Sequence, residues 1–357
     1  MNVPLLDRPV ACRRATLTDA DERARIAAFV AGHGQGTPFH LAEWTIAVAE
    51  GCGQAGRYLI AEAADGALAG VLPLTLVRSP LFGSALVSAG FGVGGGILAR
   101  DAATSRALAD AAWAIATDAG APSLELRGGE APGGAFHTDT DTYLGFVTDL
   151  APDDDAQLAA IPRKQRAEVR KSFDKGLSIA VGRDAADRRA HYLVYAESVR
   201  NLGTPVFPAR LFAAVLRAFG ERADILTVSH GGTPVASVLS LYWNGTVYPY
   251  WGGGTEAARG LRANDAMYHA LMNHARRRGC TRFDFGRSKA GTGAAAFKRN
   301  WGFDGVPLAY HVRTADGAAP RAVNPLDPKY ARRIAMWKKL PLPVANLIGP
   351  WIARGLG

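Results

Sequence analysis

Three apolar segments follow one another in residues 225–254, which read ILTVSHGGTPVASVLSLYWNGTVYPYWGGG. A glycine pair separates the first two segments, and the third ends in Gly252–Gly254. Short apolar runs bounded by glycine turns are typical of antiparallel β-strands. Residues 263–278 then have the pattern of a helix, and TRFDF (281–285) has that of a closing strand. The predicted order is strand, turn, strand, strand, glycine loop, helix, strand.

The first half of the chain repeats this order. Strands are predicted at 58–62, 70–77 and 84–89, followed by a glycine loop, a helix at 103–119 and a closing strand at 123–127. Two copies at an offset of roughly 160 residues indicate a tandem duplication, although two unrelated domains of similar order are the alternative. Antiparallel strands followed by a helix and a parallel strand form a mixed sheet with helices packed on it. We therefore predict an α+β fold of two duplicated domains, each a mixed, mostly antiparallel sheet flanked by helices.

The duplication also predicts the domain boundaries. We expect an N-terminal domain at residues 1–150, a C-terminal domain with the active site at 151–315, and a basic amphipathic tail at 316–357. A chain of 357 residues is long enough for two domains with separate cores. An acidic linker at 151–155 is expected to lead into a basic helix that Pro162 interrupts.

Charge and cysteine usage limit the function classes. The formal net charge of +9 favours anionic partners, such as a phosphate-bearing substrate, tRNA or a membrane surface. Cys12, Cys52 and Cys280 lack the spacing of a zinc site or a disulfide framework, so we expect no metal and a reducing compartment. No stretch approaches the roughly 20 apolar residues of a membrane span. These features predict a cytoplasmic protein, with peripheral contact at the inner membrane as a further option.

Five separated motifs carry a family resemblance. They are YAESVRNLGTPVFP (195–208), FDFGRSK (283–289), FKRNWGF (297–303), NPLDPKY (324–330) and LPLPVAN (340–346). Together they resemble the FemAB family, which has a GNAT-like, or BioF2-like, acetyltransferase fold. The similarity is greatest to the branch associated with exosortase/PEP-CTERM systems.

The resemblance implies an acyl- or aminoacyltransferase that acts on an amine or hydroxyl of a cell-envelope or exopolysaccharide precursor. The best understood relatives use aminoacyl-tRNA to extend peptidoglycan side chains, and the PEP-CTERM branch is tied to exopolysaccharide production. The expected donor is therefore acyl-CoA or aminoacyl-tRNA, and the expected acceptor is a phosphate-bearing or saccharide molecule, small or lipid-linked. The alternative is a non-catalytic FemAB-like protein that binds saccharide or assists assembly in exopolysaccharide export.

Asp284 and Tyr250 are the predicted catalytic residues. Asp284 lies in the closing strand of the second repeat, where a carboxylate beside a cleft suits a general base. The alternative is that Asp284 orients Arg287 or Lys298 through a salt bridge. Tyr250 precedes the glycines and is a candidate donor to a tetrahedral oxyanion, although aromatic strand residues are usually core.

A second group of candidates lies at the start of the helix after the glycines. In GNAT enzymes that bind coenzyme A, this turn has the pattern Arg/Gln-x-x-Gly-x-Gly/Ala, whose backbone N–H groups hold pyrophosphate. Here Arg259 begins the turn, but Arg262 and Asn264 occupy the glycine positions. We predict phosphate contacts from these three side chains, with helix capping as the alternative for Asn264. The equivalent loop of the first half lacks the basic cluster, so that half is expected to support the site.

Further substrate contacts are predicted in three other segments. The loop after the closing strand combines cations, hydroxyls and glycines, which suits phosphate or sugar binding, unless it is an ordinary exposed turn. Arginines at three- and four-residue spacing in the basic helix form a stripe suited to tRNA or a pyrophosphate-linked lipid, unless it is a solvated face. Polar residues also end the apolar helix near residue 200. The predicted residues are Arg287, Ser288, Lys289, Thr292, Lys298, Arg166, Arg170, Arg200 and Asn201.

The C-terminal tail interleaves basic residues with tryptophans and aliphatic residues. This composition is typical of an interfacial helix that touches anionic lipid, which would bring the enzyme to a lipid-linked acceptor. Packing of the tail on the second domain explains the apolar residues equally well.

Overall fold

The computed structural model describes residues 10–318 and 328–357. The strands are β1 (Ala11–Arg14), β2 (Ala55–Glu62), β3 (Leu68–Ser79), β4 (Gly83–Ser88), β5 (Leu98–Ala99), β6 (Ser123–Arg127), β7 (His137–Asp139), β8 (Tyr143–Asp149), β9 (Leu177–Gly182), β10 (Ala223–His230), β11 (Thr233–Trp243), β12 (Thr246–Gly254), β13 (Arg282–Lys289), β14 (Gly305–Pro307) and β15 (Tyr310–Thr314). The helices are α1 (Ala20–Gly32), α2 (Ala42–Cys52), α3 (Ala102–Asp118), α4 (Asp154–Ala160), α5 (Arg163–Phe173), α6 (Ala185–Leu202), α7 (Ala209–Phe219), α8 (Ala258–Leu261), α9 (Ala263–Arg277), α10 (Gly293–Asn300), α11 (Pro328–Lys339) and α12 (Leu342–Ala353).

The strands form two mixed sheets of the same design. The first has the order β1-β2-β3-β4-β6-β15-β7, with β5 paired to β3, and the second has the order β14-β8-β13-β12-β11-β10-β9. In each sheet three consecutive strands are antiparallel, and a helix then leads to a parallel neighbour, β6 or β13. The predicted tandem α+β fold is therefore confirmed.

Two strands that the predicted repeat does not include complete the sheets. β8, expected in the N-terminal domain, pairs with β13 and β14, whereas β15, expected in the C-terminal domain, pairs with β6 and β7. Within the described residues, one compact unit thus comprises 10–140, 308–318 and 354–357, and the other comprises 141–307 and 328–353. This division differs from the expected boundaries at 150 and 315 because each sheet is completed by a strand that is distant in sequence.

Each unit buries an apolar core between its sheet and its central helix. In the first unit Leu108 of α3 and Leu72 of β3 belong to one cluster of buried side chains. In the second unit Met267 of α9 clusters with Val238 of β11 and Phe283 of β13. Full burial of each such side chain contributes about 1.5–3 kcal/mol, so each sheet and its helix stabilise one another.

The two C-terminal helices pack against α6 in the second unit. Gly203 caps the C-terminus of α6 with a φ of +87°, and a Cβ at this position would lie 2.4 Å from Cγ2 of Ile334 in α11. A glycine is therefore required both by the backbone conformation and by the close approach of α11. The small residues Ala345, Gly349 and Ala353 form the buried face of α12. Across residues 10–318 and 328–357, no helix combines the length and apolar character that crossing a bilayer requires.

Candidate active site

The second sheet opens between β12 and β13. These parallel strands pair at Thr246 with Arg282 and at Val247 with Phe283, and their register extends no further. β12 continues to Gly254 along β11, whereas β13 continues along β8. The two strands therefore separate toward their C-terminal ends, and the cleft between them lies next to the start of α9. An opening between strands of a sheet is a common position for a ligand.

A β-bulge and three glycines shape the β12 side of the opening. The register of β12 against β11 shifts between Pro249 and Trp251, so that Tyr250 is the extra residue of the bulge. The Tyr250 ring lies 4.8 Å from the Trp251 ring, edge to face. Gly252–Gly254 continue the strand instead of forming the predicted loop, because their backbone remains paired with β11.

Side chains of α6 and α9 lie directly against these glycines. A Cβ on Gly253 would be 2.3 Å from Oγ of Ser198, and one on Gly254 would be 2.6 Å from Oδ1 of Asn264. Oδ1 of Asn264 is buried and has no hydrogen-bond donor among the described residues. An unsatisfied buried acceptor is costly, so this atom is a candidate contact for a bound ligand.

Asp284 lies on the β13 side of the opening, where β13 departs from regular pairing. Its Oδ1 accepts a hydrogen bond from the N–H of Gly286 at 2.8 Å, and Gly286 has a φ of +69°. Burial raises the pKa of Asp284 to about 6, although the Gly286 hydrogen bond and the charges of Lys298 and Arg282 act in the opposite direction. A carboxyl group with this pKa is ionised at neutral pH and still accepts a proton readily, as a general base must.

Lys298 of α10 holds the irregular part of β13 in place. Its Nζ donates to the carbonyl oxygens of Gly286 at 3.0 Å and Arg287 at 2.9 Å, and it lies 5.2 Å from the ring centroid of Phe146. Burial lowers the pKa of Lys298 to about 8, against the charge of Asp284. Lys298 therefore places a partly buried cation close to the candidate base.

Two cations at the end of β13 stack on one aromatic ring. The guanidinium of Arg287 lies 4.5 Å from the ring centroid of Tyr143 in β8, and Nζ of Lys289 lies 5.6 Å from it. Burial, with a smaller effect from Arg287, lowers the pKa of Lys289. Cation–π contacts of this kind hold both side chains against the ring. Ser288, between them, is buried.

Thr292 serves as the N-cap of α10. Its hydroxyl donates to the carbonyl of Lys289 at 2.8 Å and accepts from the N–H of Ala295 at 3.4 Å. These bonds satisfy an otherwise unpaired N–H of the helix terminus and fix the turn after β13. The hydroxyl is thus engaged in the fold, and its predicted contact with substrate remains a prediction.

Carboxylate groups occupy the N-terminal end of α9. Nε of Arg262, a residue with a φ of +56°, lies 2.8 Å from Oε2 of Glu168. Asp265, in the first turn, accepts a hydrogen bond from Nε2 of Gln165 at 2.6 Å, and burial raises its pKa. Arg259 precedes them, exposed, on α8. A carboxylate in the first turn occupies the positive end of the helix dipole, which a pyrophosphate would otherwise use.

The opposite side of α5 is strongly cationic. Gln165 and Glu168 contact residues of α9, while another set of α5 side chains lines a groove of about 470 Å³. The lining residues are Arg163, Arg166, Ala167, Arg170, Lys171 and Asp174. Arg166 and Arg170, both predicted substrate contacts, therefore share this groove, and the predicted stripe is a feature of the surface.

Arg200 and Asn201 lie in the last turn of α6. Nη1 of Arg200 donates to the carbonyl of Lys338 at the end of α11, at 3.1 Å, and Asn201 is half-buried. The carbonyls at a helix C-terminus lack intrahelical partners, so Arg200 stabilises α11. The contact of Arg200 and Asn201 with substrate remains a prediction.

Three residues beside the opening were not predicted from the sequence. They are Ser198 against Gly253, Tyr143 beneath Arg287, and Glu168 as the partner of Arg262. Tyr143 was missed because no strand was predicted there and residues up to 150 were expected in the other domain. The Glu168–Arg262 pair joins helices that are far apart in sequence, so no local pattern indicates it.

The comparisons with known proteins agree with this architecture. Residues 163–299 match a family model described as an acetyltransferase (GNAT) domain, and this range includes α5, β12, α9 and β13. A search of curated proteins found no match to the sequence.

Several solved structures share the fold over both units. FemX is 16% identical, with a TM-score of 0.66 over 84% of this chain and 96% of its own. A tandem GNAT protein from the clavulanic acid biosynthesis pathway is 14% identical, with a TM-score of 0.57 over 87% of this chain and 100% of its own. The C-terminal domain of a putative lysylphosphatidylglycerol synthetase from Agrobacterium fabrum is 11% identical, with a TM-score of 0.55 over 83% and 93%. At these identities the similarity shows a common fold.

The residues that match the family model therefore include the candidate active site of the second unit. The matched residues contain the opening between β12 and β13, together with Asp284 and Lys298. Residues 163–299 therefore form a GNAT acetyltransferase domain within a tandem GNAT-like fold.

Proposed function

We propose that this protein is an acyltransferase that takes an aminoacyl group from aminoacyl-tRNA and transfers it to an amine or hydroxyl of a phosphate-bearing cell-envelope precursor. The observation that carries the choice of donor is the N-terminus of α9, where Asp265 occupies the first turn and Arg262 is paired with Glu168. A coenzyme A pyrophosphate at this terminus would meet two carboxylates, and the two positions that favour glycine hold Arg262 and Asn264.

The cationic groove on α5 supports tRNA as the donor. Three arginines on one helix face, at positions 163, 166 and 170, match a polyanion better than a single pyrophosphate. α5 is joined to the start of α9 by the Glu168–Arg262 pair, and α9 in turn contacts the end of β12 through Asn264 and Gly254. These contacts connect the helix that carries the groove with the opening between β12 and β13.

The chemistry follows from the groups at the opening. The acceptor amine or hydroxyl attacks the ester carbonyl carbon of the donor, and its proton passes to Asp284. The negative charge on the carbonyl oxygen is stabilised by backbone N–H groups at the β12 edge or by Tyr250. The bond from carbon to the ribose oxygen then breaks, and Asp284 returns the proton to that oxygen. Lys298 keeps Asp284 ionised and holds Gly286 and Arg287 in place.

The cations at the end of β13 and the family resemblance both favour a phosphate-bearing envelope precursor as the acceptor. Arg287 and Lys289, stacked on Tyr143, suit a phosphate or a sugar-phosphate next to the acceptor group. One structural neighbour is named as a lysylphosphatidylglycerol synthetase, a name that describes an aminoacylated lipid headgroup. The resemblance to the PEP-CTERM-associated FemAB branch points to an exopolysaccharide or other envelope precursor, handled on the cytoplasmic side of the membrane.

Titration with the two donors tests the proposal. We expect aminoacyl-tRNA to bind saturably and acetyl-coenzyme A not to bind, because carboxylates occupy the helix terminus that pyrophosphate needs. Calorimetry at one fixed salt concentration measures both, with uncharged tRNA and a heparin competitor as controls for non-specific attraction. Saturable binding of acetyl-coenzyme A that is lost in Arg259→Ala would overturn the choice of donor and would make the protein a coenzyme A-dependent acetyltransferase.

The pH dependence of turnover provides a second prediction. Asp284 must be ionised to act as a base, so activity should fall below its pKa of about 6, and the Lys298 cation is lost above its pKa of about 8. We therefore expect a bell-shaped profile of kcat/KM with limbs near these values. Lys298→Met should move the acid limb to higher pH, because the charge that lowers the pKa of Asp284 is gone, whereas Lys298→Arg should leave it in place. An acid limb that does not move in Lys298→Met contradicts the assigned coupling.

A further inference from the structure

The C-terminal helices α11 and α12 leave a coherent apolar face uncovered. α12 packs on α6, and its buried residues are Ala345, Gly349 and Ala353, which recur every four residues. Its larger apolar side chains recur at the i, i+3, i+4 and i+7 positions of another face. They are Val344 (42% exposed), Leu347 (80%), Ile348 (39%) and Trp351 (49%). The fold thus uses the small residues of this helix for packing and leaves the large ones in contact with solvent.

This face lies in a segment that contains cations and no acidic residue. From Pro328 to Gly357 the sequence has six lysines and arginines and neither aspartate nor glutamate. In α11, Arg332, Arg333 and Lys339 are exposed and share one face with the exposed Met336. Lys338 and Lys339 end α11, and only two residues separate them from the start of α12. Apolar side chains next to basic ones are the composition of a helix that lies in the headgroup region of an anionic membrane.

We propose that α11 and α12 form a docking surface for an anionic phospholipid bilayer, with the apolar face of α12 inserted at the headgroup boundary. The charge of this surface favours an anionic bilayer over a second copy of the chain as its binding partner. A symmetric dimer through this surface would bring two sets of cations together without an acidic partner, whereas anionic headgroups neutralise them. Trp351 suits the boundary because its ring is amphipathic. The proposal concerns binding alone and does not depend on the donor assigned above.

Vesicle flotation of the full chain tests the proposal. We expect binding to vesicles of phosphatidylcholine mixed with phosphatidylglycerol, and little binding to phosphatidylcholine alone. Leu347→Asp should reduce the partition coefficient on the order of tenfold, because it places a charge in the inserted face. The matched control is Leu193→Asp, since Leu193 is also an exposed helical leucine, at 50%, but lies on α6 outside the surface. This control should bind as the wild type does.

A charge test separates a local surface from general attraction. Replacing Arg332, Arg333 and Lys339 together by alanine should reduce binding to the anionic vesicles by roughly 10- to 100-fold. Replacing Arg163, Arg166 and Arg170 by alanine removes the same net charge elsewhere and should have little effect. Equal losses in both triple variants, or no loss in Leu347→Asp, would overturn the proposal. So would concentration-dependent dimerisation that Leu347→Asp abolishes in a protein that does not bind vesicles. Unchanged thermal midpoints of the variants establish that they are folded.

Discussion

Asp284→Asn is expected to lower kcat by about 10²- to 10⁴-fold, the usual contribution of a positioned general base. Asparagine has nearly the same shape and keeps an oxygen that accepts the Gly286 N–H, so the opening should retain its geometry. What the substitution removes is the proton acceptor. Single-turnover rates with bound donor measure this step without interference from product release.

The same substitution should not destabilise the protein at neutral pH. Burial raises the folded-state pKa of Asp284 to about 6, above its unfolded value, so ionisation of this group opposes folding at pH values above that pKa. Removing the charge should therefore raise the free energy of unfolding at neutral pH by about 1–2 kcal/mol, discounted for partial exposure. The gain should disappear as the pH falls toward the unfolded pKa, where wild-type Asp284 is protonated in the folded state.

Asp224→Asn provides the matched control. Asp224 is also a buried strand aspartate of the second unit, but it accepts hydrogen bonds from Tyr242 at 2.8 Å and Arg278 at 3.3 Å and lies 2.8 Å from Nε2 of His274. Loss of its charge should destabilise the protein and leave the chemical step unaffected. If Asp284→Asn instead retained full turnover, another group would be the base and Asp284 would be a positioning residue.

Removal of the α5 cations is expected to have the second largest effect. Replacing Arg163, Arg166 and Arg170 by alanine should weaken binding of aminoacyl-tRNA by roughly 10- to 100-fold and lower the slope of log K against log salt by about two to three. The reason is that each arginine that contacts a phosphate releases counterions when it binds. Affinities measured over a series of salt concentrations give both quantities.

The triple variant of α11 provides the control for general charge. It lowers the net charge by the same amount, so long-range attraction of tRNA changes equally in both proteins. Only the α5 variant should lose the steep salt dependence, and only the α11 variant should lose vesicle binding. Identical tRNA affinities in the two variants would show that the groove does not hold the donor.

The repeated unit and most of its elements could be predicted from the amino-acid sequence. β10, β11 and β12, α9 and β13 all lie where the pattern of residues 225–285 predicts them, and the first half follows the same order. These features depend on neighbouring residues, through alternation, helical spacing and glycine turns, so they can be read locally. The cationic stripe on α5 was predictable for the same reason.

The sequence did not predict which sheet β8 and β15 join, nor which residues the candidate site residues contact. Both depend on the tertiary structure. The exchange of β8 and β15 between the sheets is a matter of long-range pairing, which short strands do not encode in their own residues. That exchange brings Tyr143 beneath Arg287. Contacts between distant segments likewise engage Arg262 with Glu168 and Arg200 with Lys338. Residue type and spacing indicate which groups are able to do chemistry, but only packing determines which of them meet.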